Sequence, residues 1–292
     1  MYPVISERTG TVEGAGGVRL FFRIREPDDS RGRLLAVHGI GEHSGRYDRV
    51  ADSALAAGLT FGAMDLRGHG RSQGRRGHAR SFERLLQDLD RFRRRSGNGG
   101  STGPIFLLGH SLGALVVGRY VQEFGFPDLA GAILVAPFVG LAMQPPAWKL
   151  RLGGLADRLA PGLTLNNGIC SEDLFRQAGE GELYDRDPLV HHRISARLWG
   201  EMRRNAAVMM RKAGQSRTPY LVQLPGDDRI VSAMASRELA DRLGGTSRVL
   251  EYDGAFHDLY HDPAGEQAST DLVNWLRQRL DDRARAEGAG TV

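Results

Sequence analysis

The sequence of 292 residues contains a single cysteine, Cys170, and only two lysines, Lys149 and Lys212, among 39 basic side chains. One cysteine can form neither an internal disulfide nor a paired-cysteine metal site, so an intracellular, cytoplasmic setting is expected. No uninterrupted run of about 18 apolar residues occurs, which excludes a membrane-spanning helix. The opening MYPVISERTG lacks a basic segment followed by an apolar one, so no secretory leader is expected. With 41% hydrophobic and 25% charged residues, wholesale disorder is excluded as well. The net charge of +4 is carried by arginine, and arginines run along the whole chain. Their densest cluster, Arg91, Arg93, Arg94 and Arg95, follows Glu83, Asp88 and Asp90 closely, as on a solvated helix face. No nucleic-acid partner is therefore expected, and weak attraction to an anionic lipid surface is the more natural consequence. There is no internal repeat.

What is present is an alternation of short apolar runs with longer amphipathic stretches. Leu34–Val37, Leu59–Met64, Ile105–Leu108, Ala132–Val135, Tyr220–Leu224 and Val249–Tyr252 read as strands buried on both faces. Tyr47, Val50, Ala51, Ala54 and Leu55 recur at helical spacing, as do Phe82, Leu85, Leu86, Leu89 and Phe92, with Ser81 placed as an N-cap. Further helices are predicted over Leu112–Phe124, Met234–Leu243 and Ala268–Leu280, and a hairpin is predicted from Val12 through Val18–Ile24. Strand–helix alternation implies an α/β fold with a mostly parallel sheet. The alternation breaks between Gly140 and Arg217, a stretch too long for a loop. It reads as a helical insertion without a convincing strand, in which Trp148, Leu152, Leu155, Leu159 and Leu163 share a face. That face is expected to pack on the main domain, or else to line a ligand tunnel or touch lipid. Gly153-Gly154 weakens this helix. The polar, glycine-rich tail 283–292 is expected to be disordered.

The chemistry concentrates in Gly109-His110-Ser111-Leu112-Gly113, a G-x-S-x-G motif between a strand and a helix. That context places a serine on a strained elbow, with its hydroxyl projecting at a helix N-terminus. A serine hydroxyl needs a base. In elbow sites of this kind the order is serine, acid, histidine. His257 follows the last predicted strand in a loop and is the candidate base, with His261 four residues on as the rival. His110 adjoins Ser111, but chain neighbours point apart, and its expected role is packing. Asp227 and Asp228 both follow the strand Tyr220–Leu224; Asp228, directly before Arg-Ile-Val, is the candidate acid and Asp227 a turn residue. The oxyanion donors are expected to be the Leu112 amide and, from the glycine-rich loop His38–His43, the Ile40 amide. Asp65 and Arg67, in a D-x-R-G-x-G stretch, are expected to tie loops together. Glu42 and Arg46 would hold the oxyanion loop or meet a polar head group. Cys170 is expected to be a buried free thiol.

The segments HGIGEHSGRYDRVA (38–51), DLRGHGRSQGRRGH (65–78), GHSLG (109–113), DPLVHH (187–192), GDDRIV (226–231) and YDGAFHDLYHD (252–262) together resemble the monoacylglycerol lipase and lysophospholipase group of α/β-hydrolases. The resemblance covers nearly all of residues 10–282. It implies an α/β-hydrolase core over 1–139 and 218–282, with a helical cap, 140–217, inserted after the sixth strand. It implies a triad of Ser111, Asp228 and His257, an oxyanion hole of Ile40 and Leu112, and no cofactor or metal. The implied reaction is cleavage of single-chain lipid esters, above all monoacylglycerol to fatty acid and glycerol, through an acyl-enzyme. Lysophospholipid or general ester hydrolysis is the alternative, and a ligand sensor on the same fold is a further one. The implied partners are the lipid ester itself and, transiently, a membrane surface met through the cap. The group often carries GHSxGG; here Ala114 stands at the last position. The cap is the stretch least like the group.

Overall fold

A computed structural model describes residues 6–97, 103–143, 145–243 and 247–289. The chain runs through strands β1 (Ser6–Glu13), β2 (Arg19–Glu26) and β3 (Arg33–Val37), then α1 (Asp48–Ala56), β4 (Thr60–Met64), α2 (Phe82–Ser96), β5 (Ile105–His110), α3 (Leu112–Phe124) and β6 (Leu129–Val135). The interrupting stretch carries α4 (Ala147–Leu159), β7 (Thr164–Asn166), α5 (Ser171–Leu174), α6 (Ala178–Arg186), β8 (Arg193–Ser195) and α7 (Ala196–Lys212). Strand β9 (Tyr220–Pro225), α8 (Ala233–Arg242), β10 (Arg248–Tyr252) and α9 (Gly265–Ala289) follow.

Eight strands form one sheet in the order β1-β2-β4-β3-β5-β6-β9-β10. The predicted hairpin is there: β1 pairs antiparallel with β2, and β2 with β4, while the remaining pairings are parallel. Because side chains alternate along a strand, each apolar run feeds two cores. Leu35, Val37, Leu107 and Leu134 pack with α2 and α3, whereas Leu34, Ala36, Phe106, Leu108 and Ile133 pack with α1 and α9. This is why the runs carry no polar alternation. It also fixes the register that brings the carboxyl ends of β3, β5, β9 and β10 to one edge, where an open α/β sheet places its ligands.

Several expectations are corrected. The 140–217 stretch does contain strands: β7 and β8 pair antiparallel, Leu165 opposite Ile194, and three residues each are too few to show a period. Its last helix, α7, adds Leu198, Met202, Ala206 and Met209 to the core beside α3. The α4 stripe packs on neither core nor tunnel: Trp148, Leu152, Leu155 and Leu159 are 59%, 56%, 53% and 76% exposed. The helix meets α7 through its other side, where Gly153 faces the Trp199 ring and Asp157 pairs with Arg197 and Arg204. Ser81 sits at the N-cap of α2 without a side-chain bond; the Phe82 amide donates instead to Glu201 of α7 at 3.0 Å. Helix α9 continues to Ala289, through most of the tail expected to be disordered. Ala284, Ala286 and Glu287 are good helix formers, and Asp282 pairs with Arg279 and Arg285 one turn away. Residues 290–292 lie outside the described residues. Cys170 is exposed, not buried. Among the described residues no helix is long and apolar enough to cross a membrane.

Candidate active site

The site starts from the elbow. Ser111 has φ 54° and ψ −115°, a conformation that costs a non-glycine residue about 1–3 kcal/mol and persists only when its surroundings impose it. They do so here. A Cβ on Gly109 would strike the Gly113 carbonyl, and one on Gly113 would strike Val37, so helix α3 is pressed against the sheet. The Ser111 amide donates to Val135 (3.0 Å), and its carbonyl accepts from Phe138 (3.2 Å). Ala136, just after β6, is the second non-glycine residue with positive φ among those described, at 44°. The two strained residues therefore lie at the ends of adjacent strands, with Ser111 bonded to Val135 and Phe138 on either side of Ala136. Leu112 opens helix α3, and its amide has no carbonyl of its own helix to bond.

His257 lies beyond β10, and its Nδ1 is 2.7 Å from Oδ2 of Asp228, beyond β9. Both side chains are nearly inaccessible to solvent. A carboxylate only accepts, so Nδ1 is the donor of this bond, and Nε2 is the ring nitrogen that Asp228 leaves unengaged. The other Asp228 oxygen accepts from the amides of Ile230 (2.8 Å) and Val231 (2.9 Å), which fixes the carboxylate. Asp227 is exposed and contributes its backbone amide to Ala255. His261 bonds Asp258, not Asp228. Of the sequence alternatives, Asp228 and His257 are the two that the structure brings into contact.

A narrow cavity of about 20 Å³ is lined by Ser111, His257, Gly39 and Ile40 and, from the 140–217 stretch, by Ile169, Leu174 and Tyr184. That volume has room for about one water and none for an acyl chain. The loop at His191 lies directly on the loop His38–His43: a Cβ on Gly41 (φ 84°) would meet the His191 carbonyl at 2.5 Å. His43 bonds Asp187 at 2.8 Å, and the Arg46 guanidinium sits 5.3 and 4.9 Å from the Phe175 and Tyr184 ring centres. A separate open cleft of about 210 Å³ lies between α4 and α7, lined by Phe138, Leu150 and Trp199 and by Arg203. A wide surface groove of about 900 Å³ along α1 and α9 contains none of Ser111, His257 and Asp228.

Beneath the site runs a buried charged network in which Glu42 holds the loop His38–His43, as expected, and His110 takes a charged role in place of the packing role expected of it. Glu42 accepts from the Gly39 amide (2.6 Å), the Tyr47 hydroxyl (3.0 Å) and His110 Nδ1 (3.0 Å). His110 Nε2 lies 3.1 Å from the His257 carbonyl. Burial pushes the His110 ring down, but the bond to Glu42 and its charge outweigh it and raise the ring to about 9. Burial likewise pushes Glu42 up, yet His110 brings it down to about 2. His110 is thus an imidazolium donating from both nitrogens. Asp258 pairs with Arg46 and His261. Burial would raise its carboxyl, but His261, Arg46 and His110 hold it well below the usual range. The one signal in the sequence was charge: Glu42, Arg46, His110 and Asp258 all flank motif residues. Asp65 accepts from the amides of Ser44 (2.8 Å) and Arg71 (2.7 Å), and Arg67 forks onto Asp88, so this stretch ties loops as expected.

The family described as serine aminopeptidase S33 matches residues 28–264. The chain belongs to it. A monoacylglycerol lipase of Mycolicibacterium smegmatis is 30% identical over 91% of this chain and 96% of its own length. The crystal structure of a monoacylglycerol lipase from Paleococcus ferrophilus superposes with a TM-score of 0.80, at 30% identity, covering 94% of this chain and all of that one. An abhydrolase domain-containing protein of Dictyostelium discoideum is also 30% identical over 85% of this chain, which spans only 26% of that longer relative. This α/β-hydrolase thus falls within the monoacylglycerol lipase group, a group of carboxylic ester hydrolases.

Proposed function

We propose that the protein hydrolyses carboxylic esters of single-chain lipids, monoacylglycerol foremost, to fatty acid and glycerol through an acyl-enzyme. The observation that carries this reading is the His257–Asp228 pair, which leaves a bare Nε2 on the cavity that Ser111 also lines. Ser111 Oγ attacks the ester carbonyl carbon while His257 Nε2 takes its proton. The carbonyl π electrons move to oxygen, and the amides of Ile40 and Leu112 receive the oxyanion. Collapse expels the glycerol oxygen, which His257 protonates. His257 Nε2 then takes a proton from a water that attacks the acyl carbonyl; the acyl–Oγ bond breaks, Ser111 Oγ receives that proton, and the fatty acid leaves. Asp228 holds the tautomer and stabilises the imidazolium.

The lipid preference is supported by the group to which the chain belongs and by the surfaces around the site. Residues 140–217 act as a cap: Ile169, Leu174 and Tyr184 narrow the cavity at Ser111 to about 20 Å³, so an acyl chain needs this stretch to shift. The cleft beside Phe138, Leu150 and Trp199 offers an acyl chain apolar side chains to cover, at about 0.8 kcal/mol per methylene buried. The exposed stripe on α4 lies beside Arg151 and Arg158, also exposed, and would rest transiently on an anionic membrane surface. A hydrolysis panel crossing head group with acyl length tests the reading. Monoacylglycerols of long chain should have the highest kcat/KM, and Ser111→Ala should abolish turnover while melting as the parent does. Preference for lysophospholipids or short aryl esters would replace the substrate class. Activity of Ser111→Ala within tenfold of the parent would remove the mechanism.

A further inference from the structure

Three histidines that the mechanism does not use form a column from the oxyanion loop to the cap. His38 and His69 have ring centres 5.2 Å apart, and His69 and His191 4.7 Å. Each ring is fixed by backbone. His38 Nε2 accepts from the Leu66 amide (2.8 Å), so its proton is on Nδ1, which donates to the Gly39 carbonyl (2.7 Å). His69 Nδ1 donates to the Arg67 carbonyl (3.0 Å), and its buried Nε2 has no partner. His191 accepts at Nδ1 from the Arg193 amide (3.2 Å) and donates from Nε2 to the Gly68 carbonyl (3.0 Å). The His191 amide in turn donates to the Gly41 carbonyl (2.8 Å).

The bond to Gly39 has a consequence one atom further along the chain. In a trans peptide the carbonyl and the next N–H lie in one plane and point opposite ways. Holding the Gly39 carbonyl therefore sets the direction of the Ile40 N–H. The Gly39 amide on the other side of the residue is held by Glu42 at 2.6 Å. We propose that His38 is a positioning residue that aims the Ile40 amide at the developing oxyanion, with the tilted rings of His69 and the cap residue His191 packed behind it to keep its ring from turning. This rests on the reading of Ile40 as an oxyanion donor. Burial keeps the His38 ring below its ordinary value and so in the neutral form, which is the form that can both accept from Leu66 and donate to Gly39.

Two variants separate the ring's two bonds. An asparagine amide nitrogen falls near the place of Nδ1, so His38→Asn keeps the donor to Gly39 and loses the acceptor for Leu66. His38→Gln reaches the place of Nε2 and does the reverse. The readouts are kcat and KM for a soluble p-nitrophenyl ester, and the inhibition constant of a long-chain trifluoromethyl ketone. Ser111 Oγ adds to the ketone carbon and leaves an oxyanion in the hole. Folded sites are counted by fluorophosphonate labelling of Ser111. Losing one oxyanion donor costs about 10²–10³ in kcat. His38→Gln should therefore lose about 10²-fold in kcat and in ketone affinity, with KM within about threefold, while His38→Asn should lose less than about tenfold. The reverse order, or equal losses, would mean that the ring merely supports Leu66 or the packing, and would overturn the proposal. Replacing the Gly39–Ile40 amide by an ester removes the N–H itself. If that change left kcat and ketone affinity intact, the oxyanion reading of Ile40 would fall first and the role of His38 with it.

Discussion

His110 reaches past the serine that follows it and places its Nε2 3.1 Å from the backbone carbonyl of His257. Chain neighbours do point apart, and that geometry sends the His110 ring behind the site, not away from it. Its Nδ1 lies 3.0 Å from Glu42, which also takes the Gly39 amide. One imidazolium thus links the backbone of the proposed base to the loop of the proposed oxyanion hole. Glu42 is the joint between them.

This linkage predicts a pH dependence. His110 is raised to about 9 in the folded protein, against about 6.5 in an unfolded chain. The native state binds the extra proton, so the contribution is full below pH about 6.5 and is lost as pH rises through about 9. Its size is about 3 kcal/mol as an order of magnitude. Melting temperature measured across pH 6–10 should fall more for the parent than for His110→Gln, which has no proton to lose. Parallel curves for the two proteins would show that this ring does not carry the charge.

The fold was legible because a doubly covered sheet writes itself as unbroken apolar runs. Ile105–Leu108 and Tyr220–Leu224 needed no partner information to be read as strands. The elbow was legible because Gly109, Ser111 and Gly113 are a steric requirement of the turn. What the sequence could not show was the far partner of a buried charge. Nothing near Glu42 announces His110, 68 residues on, and nothing near Arg67 announces Asp88. The α4 stripe misled for a related reason. Helical spacing of Trp148, Leu152, Leu155 and Leu159 identifies a face, and only the packing of Gly153 and Asp157 on α7 tells which way that face points.

The two neighbouring aspartates should separate cleanly. Asp228→Asn should lower kcat by about 10⁴-fold, because an amide cannot enforce the Nδ1–H tautomer as a carboxylate does. Asp227→Asn should stay within about twofold of the parent, as expected of an exposed surface substitution, since that side chain is exposed and its charge acts on Arg176, not on His257. Steady-state kinetics on a soluble ester check both. A large loss at 227 with little at 228 would move the acid by one residue.

Arg67 and Asp88 supply a stability test away from the chemistry. Asp88 is fully buried and accepts the Arg67 fork at 2.6 and 2.7 Å. Burial nonetheless pushes its carboxyl up, and Arg67 offsets that only in part. Such a pair adds little net stability, while an orphaned partner is expensive. Asp88→Ala should destabilise by about 3–5 kcal/mol in urea unfolding. Arg67→Met combined with Asp88→Leu should recover most of that loss. A single variant within about 1 kcal/mol of the parent would mean that the Arg67 charge finds water on losing its partner.

The exposed face of α4 is where substrate presentation should show. Trp148, Leu152, Leu155 and Leu159 repeat along one side of the helix and stand more than half exposed, with Arg151 and Arg158 beside them. A buried leucine side chain is worth about 1.5–3 kcal/mol, so two leucines entering the interface dominate a weak surface association. Leu155→Asp with Leu159→Asp removes that burial and adds charge that an anionic surface repels. Hydrolysis of a long-chain monoacylglycerol presented in vesicles containing phosphatidylserine should fall by about tenfold or more, and co-sedimentation with those vesicles should fall with it. A short acetyl ester in free solution should be hydrolysed as before, since neither leucine lines the cavity at Ser111. An equal fall for both substrates would assign the face to the structure of the cap. Unchanged rates for both would mean that the helix meets no surface on the way to turnover, and the membrane contact would be withdrawn.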